Sequence, residues 1–357
     1  MTKKILLTLA FASVMTPAIL SAQASKETLL ALSKRDHTLA IVDPATLKVL
    51  AKVPIGNDPH EVIASTDGTT AYVSNYGGGA YNSIAVVDLA SQKPLPAIDL
   101  GPLRGPHGLT FVGGKVWFTA EAAKAIGSYD PATQKIDWIM GTGQNRTHMI
   151  YVAPDLKQIV TTNVASGTVT FIEKAPPRAP GPPPGMPPGA QGGPPPGPPR
   201  GPMGSPGGDW DETVVRVGNG SEGFDVSPDS KEIWVGNAQE GTISVIDFAS
   251  KKVADTIAAN ARGANRVKFT PDGTRVFVST LFGGELVIFD AHTRKELKRI
   301  NLGKGSAGIL MQPDGNRAFV ACSPDNNIAV IDLKSLEVVG RLEVGQEPDG
   351  MAWAASH

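Results

Sequence analysis

Hydrophobic and polar positions along the chain follow a long repeat. The clearest unit is a short apolar strand that ends in an acidic residue, such as Leu39-Ala40-Ile41-Val42-Asp43. Its seven copies end at positions 43, 88, 130, 173, 247, 290 and 332. Successive copies are therefore 42 to 45 residues apart, except for one interval of 74 residues that contains an insertion. A regular period of this length predicts one supersecondary unit per repeat.

Each period contains the same order of short strands and turns. A turn follows the acidic residue, and a strand ending in glycine comes next, as in residues 49–56. The following strand leads into a Pro-Asp-Gly turn such as Pro271-Asp272-Gly273, and a strand rich in aromatic and β-branched residues follows. Short alternating strands separated by such turns predict antiparallel β structure. Four strands per period is the size of one propeller blade.

The number of copies predicts an all-β fold, a seven-bladed β-propeller with four-stranded blades. The final copy stops after residues 338–344 and 350–353, so it lacks its third and fourth strands. The N-terminal part of the chain supplies these strands as residues 29–33 and 38–43. We therefore expect a closure blade shared by the two termini, because joining both ends removes exposed sheet edges. The propeller is predicted to span residues 25–357.

Several short motifs resemble the repeat of the YVTN-family (YncE-like) seven-bladed β-propellers. They are Tyr72-Val73-Ser74-Asn75, the Pro-Asp-Gly turns, strand ends such as Ser244-Val245-Ile246-Asp247, and Pro106-His107-Gly108. The resemblance covers about the whole mature chain and implies an exported propeller. It leaves the function open, because this family includes proteins without a known catalytic role and resembles propellers of several enzyme types.

The N-terminal residues 1–24 predict a signal peptide. Lys3 and Lys4 precede the apolar run 5–14, and Ala22-Gln23-Ala24 offers a small-x-small cleavage pattern. We therefore expect the protein in the periplasm, or secreted, after cleavage. The apolar run is too short to cross a bilayer, and no other stretch approaches the ~20 residues that a spanning helix needs.

The long interval contains a segment, residues 175–208, that consists almost entirely of proline and glycine. Such a composition cannot form a packed core, so it predicts a disordered or partly polyproline-II loop. It replaces the short turn after the acidic residue of one blade, which places it on the bottom face. It is interpreted either as a docking arm for a protein with an aromatic groove or as a tolerated surface insertion.

The charge and the cysteine content of the chain limit the kinds of partner and cross-link that we expect. The formal net charge of −1 gives no general attraction to nucleic acid, and no basic and aromatic stripe is present for single-stranded DNA. Cys322 is the only cysteine, so no intramolecular disulfide can form. A monomer that binds a small ligand or a protein at its top face is expected.

Candidate chemistry lies at the turn that precedes the innermost strand of each blade. Aligning the seven copies at this turn gives one ring of positions: His60, His107, His148, Glu222, Asn265, Ala307 and Asp349. Because the ring is closed, five consecutive blades present an acid, three histidines and a second acid to one opening. Three of the six histidines of the chain fall in this register.

These residue types allow three interpretations. His60, His107 and His148 could hold a divalent transition metal ion (Zn, Cu or Fe), because neutral imidazoles are ligands for all three. Glu222 or Asp349 could act as a catalytic acid or base beside a histidine. The imidazoles could also bond neighbouring backbone in a structural or ligand-binding polar ring. Further ligand-binding candidates on the same face are Asn75, Glu121, Arg146, Asn163, Asn237, Asn265 and Arg266.

The sequence thus leaves the function between two main classes. The first is a non-enzymatic binding or scaffold propeller that uses its channel mouth. The second is a metal-assisted lyase or hydrolase, similar to the lactonases built on related propellers, with the histidines as ligands. A redox role is a third hypothesis, although no residue supplies a covalent attachment for a cofactor.

Overall fold

The structure is a computed structural model that describes residues 26–175 and 210–356. In these ranges the chain forms 28 β-strands and two 3₁₀ turns, Gly77–Gly79 and Ser323–Asp325, with no α-helix. The strands make seven four-stranded antiparallel sheets. The fold is the seven-bladed β-propeller that the repeat predicts. The predicted signal peptide, and the proline-rich segment apart from Ala175, lie outside the described residues.

We number the blades from the first complete one and list the strands of each from the channel outwards. Blade 1 contains β4 (Pro59–Ala64), β5 (Thr70–Asn75), β6 (Ser83–Asp88) and β7 (Lys93–Asp99). Blade 2 contains β8 (Pro106–Val112), β9 (Lys115–Ala120), β10 (Ala125–Asp130) and β11 (Lys135–Gly141). Blade 3 contains β12 (Thr147–Val152), β13 (Gln158–Asn163), β14 (Thr168–Lys174) and β15 (Trp210–Arg216).

The other four blades follow the same order. Blade 4 contains β16 (Ser221–Val226), β17 (Glu232–Asn237), β18 (Thr242–Asp247) and β19 (Lys252–Ile257). Blade 5 contains β20 (Ala264–Phe269), β21 (Arg275–Thr280), β22 (Glu285–Asp290) and β23 (Glu296–Asn301). Blade 6 contains β24 (Ile309–Met311), β25 (Arg317–Cys322), β26 (Asn327–Asp332) and β27 (Glu337–Leu342). Blade 7 contains β28 (Pro348–Ser356), β1 (Lys26–Ser33), β2 (Thr38–Asp43) and β3 (Lys48–Pro54).

Blade 7 is the closure blade. Its innermost strand, β28, comes from the C-terminal part of the chain and pairs antiparallel with β1, with Leu29 opposite Trp353. β1 then pairs with β2, with Leu30 opposite Ile41. The shared blade confirms the prediction that strands from both ends of the chain complete one sheet.

The recurring acidic residue has a local structural reason. Asp88 accepts a hydrogen bond from the backbone N–H of Ser91 at 2.6 Å, and Asp247 accepts one from Ser250 at 2.7 Å. A carboxylate at this position thus satisfies the backbone of the turn to the outermost strand. Blade 3 departs from the pattern, because Glu173 bonds Gln158 and Lys251 instead. This is the blade whose turn carries the insertion.

The hydrophobic core consists of clusters between neighbouring blades. One cluster packs Leu30 and Ile41 of blade 7 against Val73 and Val87 of blade 1, and six more clusters fill the other blade interfaces. Middle strands such as β2 are therefore buried on both faces. Outermost strands such as β11 alternate between exposed and partly buried positions. Each blade thus depends on both neighbours for its core, as expected of a closed repeat.

The innermost strands surround a central channel and all begin on the same face, which we call the top face. The third residue of the innermost strand is a glycine in several blades, and its Cα faces the backbone of the next blade. At Gly108 an added Cβ would lie 2.5 Å from the carbonyl oxygen of His148, and Gly350 faces the carbonyl of His60 in the same way. Glycine is required there because no side chain fits between the strands. None of the helical segments in the described ranges is long and apolar enough to span a membrane.

Candidate functional site

The predicted ring of positions lies at the top ends of the innermost strands. His60, His107, His148, Glu222, Asn265 and Asp349 are each the second residue of their strand, and Ala307 precedes β24. They share this register because in every blade the top-face loop leads directly into the innermost strand. The channel mouth is therefore lined by one residue from each blade.

The structure brings together three potential metal ligands from blades 2 and 3. One ligand atom each of His107, Glu121 and His148 lies within 4.8 Å of the other two, and all three residues are buried. Glu121 follows β9 in the top loop of blade 2. The set differs from the three histidines that the sequence aligns, because Glu121 belongs to it and His60 does not.

His148 is held between two carboxylates. Its Nδ1 contacts Glu121 Oε1 in a short hydrogen bond, and its Nε2 lies 3.3 Å from Glu222 Oε1. Burial alone would lower the pKa of His148, but the charges and hydrogen bonds of Glu222 and Glu121 raise it above its usual value. In return, although burial opposes it, the His148 charge lowers the pKa of Glu222 to about 2. The pair favours an imidazolium next to an ionised carboxylate.

His107 lies beside His148 but has the opposite protonation state. Its ring centroid lies 3.8 Å from that of His148, and its residue exposure is 3%. Burial lowers the pKa of His107 well below its usual value, and the charge of His148 lowers it further. Its Nδ1 has no hydrogen-bond partner among the described residues. His107 is therefore a neutral imidazole with a free nitrogen in a buried position.

Tyr76 connects the two sides of this cluster. Its Oη donates a 2.5 Å hydrogen bond to Glu121 Oε2, and its ring lies edge-on to His107 with centroids 5.1 Å apart. Burial raises the pKa of Tyr76, and the hydrogen bond to Glu121 raises it further, so the phenol remains a donor. Glu121 thus receives a hydrogen bond on each oxygen, which fixes its orientation.

His60 is held by a different set of partners. Its Nε2 accepts from Lys34 Nζ at 3.2 Å, and its Nδ1 lies 3.2 Å from the carbonyl oxygen of Asp58. Lys34 also pairs with Asp349 Oδ2 at 3.4 Å. Burial lowers the pKa of His60, so the ring is a neutral acceptor for the lysine. Both nitrogens are thereby occupied, and His60 and Asp349 form a separate group beside the cluster.

The floor of the mouth is an ion pair across the channel. Arg266 of blade 5 donates through Nη2 to Glu61 Oε1 of blade 1, and through Nη1 to Asn265 Oδ1 at 3.2 Å. Below it, a cavity of about 380 Å³ is lined by all seven innermost strands. Glu61 and Arg266 line the upper end of this cavity, next to the level of the histidine cluster.

The three asparagines that end the second strands have a structural environment. Asn75 donates to Ser83 Oγ at 3.1 Å, Asn163 donates to Thr170 Oγ1 at 2.9 Å, and Asn237 donates to Ser244 Oγ at 2.9 Å. Each side chain therefore links the second strand of its blade to the third strand. Their side-chain hydrogen bonds lie within their own blades, whereas Arg146 contacts both Glu121 and Glu222 at the mouth.

Three residues of the site escaped the sequence pattern: Lys34, Asp58 and Tyr76. Each lies in a top-face loop, outside the register of the innermost strands. Tyr76 could have been noticed, because it directly follows Asn75 at the end of a strand that points to the mouth. No local signal marks Lys34, which reaches His60 from the loop between β1 and β2.

The arrangement is suited to binding a cation or transferring protons. Two imidazoles and a carboxylate converge in a buried position, and Glu222 and Arg146 border them. The chain of Tyr76, Glu121, His148 and Glu222 joins donors and acceptors across four consecutive blades.

Comparisons with known proteins agree with the fold. Residues 206–315 match the family described as the Cytochrome D1 heme domain. A functionally unknown protein from Desulfotomaculum acetoxidans has 12% identity and a TM-score of 0.69, with 92% of this chain and 99% of that chain covered. The "putative 6-phosphogluconolactonase" of Bacteroides fragilis has 15% identity and a TM-score of 0.69, with 95% and 99% covered.

A further similar structure is the dihydro-heme d1 dehydrogenase NirN in complex with DHE. It has 16% identity and a TM-score of 0.61, with 94% of this chain and 77% of that chain covered. No curated protein matches the chain. At these identities the similarity concerns the fold, because one propeller scaffold carries many functions.

Proposed function

We propose that the protein is an exported binding propeller that holds a divalent transition metal ion at its channel mouth, with His107, Glu121 and His148 as ligands. The observation that carries the proposal is the convergence of three buried ligand atoms within 4.8 Å. One of the three residues, His107, has a ring nitrogen without a hydrogen-bond partner among the described residues. Buried polar atoms are rarely left unpaired, so this nitrogen supports a missing ligand.

The donor set supports zinc, copper or iron. Two histidines and one glutamate form a known catalytic zinc set, and imidazole also suits copper and iron. Ligand atoms of a tetrahedral ion at 2.0–2.1 Å stand about 3.4 Å apart, so small side-chain rotations would suffice. Tyr76 provides an outer hydrogen bond that orients Glu121, and the Glu222 carboxylate lies 3.3 Å from His148 Nε2. A three-residue set also leaves a coordination position open.

Export and family are part of the same proposal. Residues 1–24 have the pattern of a signal peptide, which supports a periplasmic or secreted location. The repeat motifs support a YVTN-type propeller. In that setting the protein encounters metal ions and small ligands outside the cytoplasm.

The segment that matches the haem domain does not itself support a haem at the channel mouth. The segment that matches the haem domain, 206–315, contains a single histidine, His292. This residue is exposed in the turn between β22 and β23, on the face opposite the mouth. The matched segment therefore contributes no imidazole to the channel mouth, and the match supports the blade structure rather than a cofactor.

Metal analysis of the purified protein tests the proposal. We expect about one Zn²⁺ per chain after reconstitution and dialysis, and His107→Ala or Glu121→Gln should lose most of it. His60→Ala separates the two ligand sets, because it should retain the metal if Glu121 is the third ligand. His292→Ala is the matched control for removing an imidazole. Equal metal content in the wild type and His107→Ala would contradict the proposal.

A metal-assisted hydrolase or lyase of the lactonase type is the second candidate. Glu222 favours it, because this carboxylate lies 3.3 Å from His148 Nε2 and borders the open side of the cluster. Glu222 would take a proton as the general base, whereas Asp349 is paired with Lys34 away from the cluster. The similar "putative 6-phosphogluconolactonase" of Bacteroides fragilis supports testing lactones as the first substrates.

Turnover of lactones by the zinc-loaded protein tests this candidate. Glu222→Gln should abolish hydrolysis while the metal remains bound, and Asp349→Asn should retain it. Hydrolysis that is equal in the wild type and Glu222→Gln would exclude Glu222 as the base.

A further inference from the structure

Arg146 occupies a backbone position with a positive φ, which glycine takes in three blades and Asp58 and Glu347 take in two others. Two residues before the ring position, six of the seven blades adopt a positive φ, and three of them use glycine: Gly105, Gly220 and Gly263. Blade 3 has Arg146 there, with φ 55°. A long side chain in the left-handed region costs energy that glycine avoids.

The guanidinium of Arg146 is only loosely engaged. Its Nε lies 3.5 Å from Glu121 Oε2 and its Nη2 lies 3.9 Å from Glu222 Oε1, whereas good charge-assisted hydrogen bonds are about 2.7–2.9 Å. Its side chain is 45% exposed, against 7% for the fully engaged Arg266. Arg146 therefore has N–H donors available at the rim.

Metal binding would change the balance of charge around Arg146. Glu121 would share its negative charge with the ion and lose attraction for the guanidinium. The ion and Arg146 together would then exceed the charge of Glu121 and Glu222. An anion on the open side of the ion would restore neutrality, and a planar guanidinium is well suited to bind its oxygens in pairs.

We infer that the open side of the proposed metal site takes a small carboxylate ligand, with one oxygen on the ion and the carboxylate anchored by Arg146. The inference rests on the proposed function, because it requires the ion. The 3.5 Å between Arg146 Nε and the ligand residue Glu121 places the guanidinium within the reach of one carboxylate group. Specificity for the anionic group thus resides in Arg146.

The test uses the full chain loaded with Co²⁺, whose visible absorption reports changes in coordination. Co²⁺ affinity is measured first, and the loaded protein is then titrated with lactate and with neutral lactamide. We expect lactate to shift the spectrum saturably and lactamide to leave it unchanged. Arg146→Met should weaken lactate binding at least tenfold, while Co²⁺ binding should become equal or tighter because a nearby positive charge is removed. A merely structural collapse would weaken both.

Two further variants complete the test. Arg146→Lys should retain part of the lactate affinity, and Arg262→Met, which removes an exposed arginine from the loop before β20, should behave as the wild type. Equal lactate affinity in the wild type and Arg146→Met, or an unchanged spectrum of the Co²⁺ protein with lactate, would overturn this inference alone. Absence of Co²⁺ binding would overturn the metal proposal and the inference with it.

Discussion

Arg266 and Glu61 form an ion pair across the central channel, although 205 residues separate them in the sequence. The side chains are 7% and 13% exposed, so each charge relies on the other. Removing one partner of a buried pair costs about 3–5 kcal/mol, because the remaining charge is left without compensation. We expect Arg266→Met to lower the free energy of unfolding in urea by an amount in this range.

The double variant Glu61→Gln/Arg266→Met is its control. It removes both charges, so it should recover a large part of the stability that Arg266→Met loses. A double variant less stable than the sum of the two single changes would contradict the pairing.

Close approach of the blades predicts a second effect. A Cβ on Gly308 would meet the carbonyl of Asp349 in blade 7, so Gly308→Ala should lower the free energy of unfolding by about 1–3 kcal/mol. Gly141 is the matched control, because a Cβ there meets nothing within 4 Å. Gly141→Ala should leave the thermal midpoint unchanged or slightly higher. Equal effects of the two changes would refute this packing.

The bottom turns offer a test of backbone strain. Gln92 is exposed in the turn between β6 and β7 and has φ 58°. Gln92→Gly removes the strain of a side chain in this region, although it adds entropy to the unfolded chain. We expect a net gain of up to ~1 kcal/mol, and a loss of ~1 kcal/mol for the β-branched Gln92→Val. Urea unfolding at neutral pH measures both, and a less stable glycine variant would disprove the expectation.

Tyr76 should orient the proposed metal ligand Glu121. Tyr76→Phe removes the 2.5 Å hydrogen bond but keeps the ring against His60 and His107. Loss of such an outer hydrogen bond typically weakens metal binding 10- to 100-fold. Competition titration of Zn²⁺ measures the effect. Tyr81→Phe in the same loop is the control, and Zn²⁺ affinity equal to wild type in Tyr76→Phe would show that the phenol does not act on the site.

The pair of Glu222 and His148 predicts a pH dependence of stability. The pKa of Glu222 falls from 4.5 to about 2 on folding, although burial alone would raise it, because of the charges of His148 and Arg146. Its contribution is therefore complete above pH 4.5 and is lost as the pH falls towards 2. The raised pKa of His148 contributes below pH 6.5, and this part is lost as the pH rises through the folded pKa.

Unfolding in urea with EDTA from pH 3 to 8 measures this window. Glu222→Gln should flatten the loss of stability below pH 4.5, and the exposed Glu343→Gln should keep the wild-type profile. A Glu222→Gln profile with the same acid slope as the wild type would mean that the pair does not form.

The fold could be predicted from the sequence because its determinants are local and repeated. Asp88 and Asp247 each organise their own turn, so the same residue recurs in the same place. The register of His107 and His148 follows from the same repeat. The pairing of His148 with Glu121 depends instead on the angle between two blades, and the sequence repeat contains no information about this angle.

The ion pair of Arg266 and Glu61 is one long-range contact that the sequence does indicate. The residue that follows the ring position is glycine in four blades but Glu61, Met149 and Arg266 in the other three. Glu61 and Arg266 carry opposite charges, so they indicate a contact across the channel once the ring of blades is known. The hydrogen bond between Lys34 and His60 has no such signal in the sequence, because the lysine belongs to a loop of the closure blade.

The closure blade has a consequence for the order of events during folding. β1 and β28 join parts of the chain more than 300 residues apart, the longest-range pairing in the described sheets. Such contacts form late, since the chain must first close a long loop. β28 also carries Asp349, the partner of Lys34 beside His60. Asp349 therefore joins the channel mouth only when β28 pairs with β1 and closes the ring. A chain that has not closed exposes the unpaired edge of a strand and also has an incomplete site.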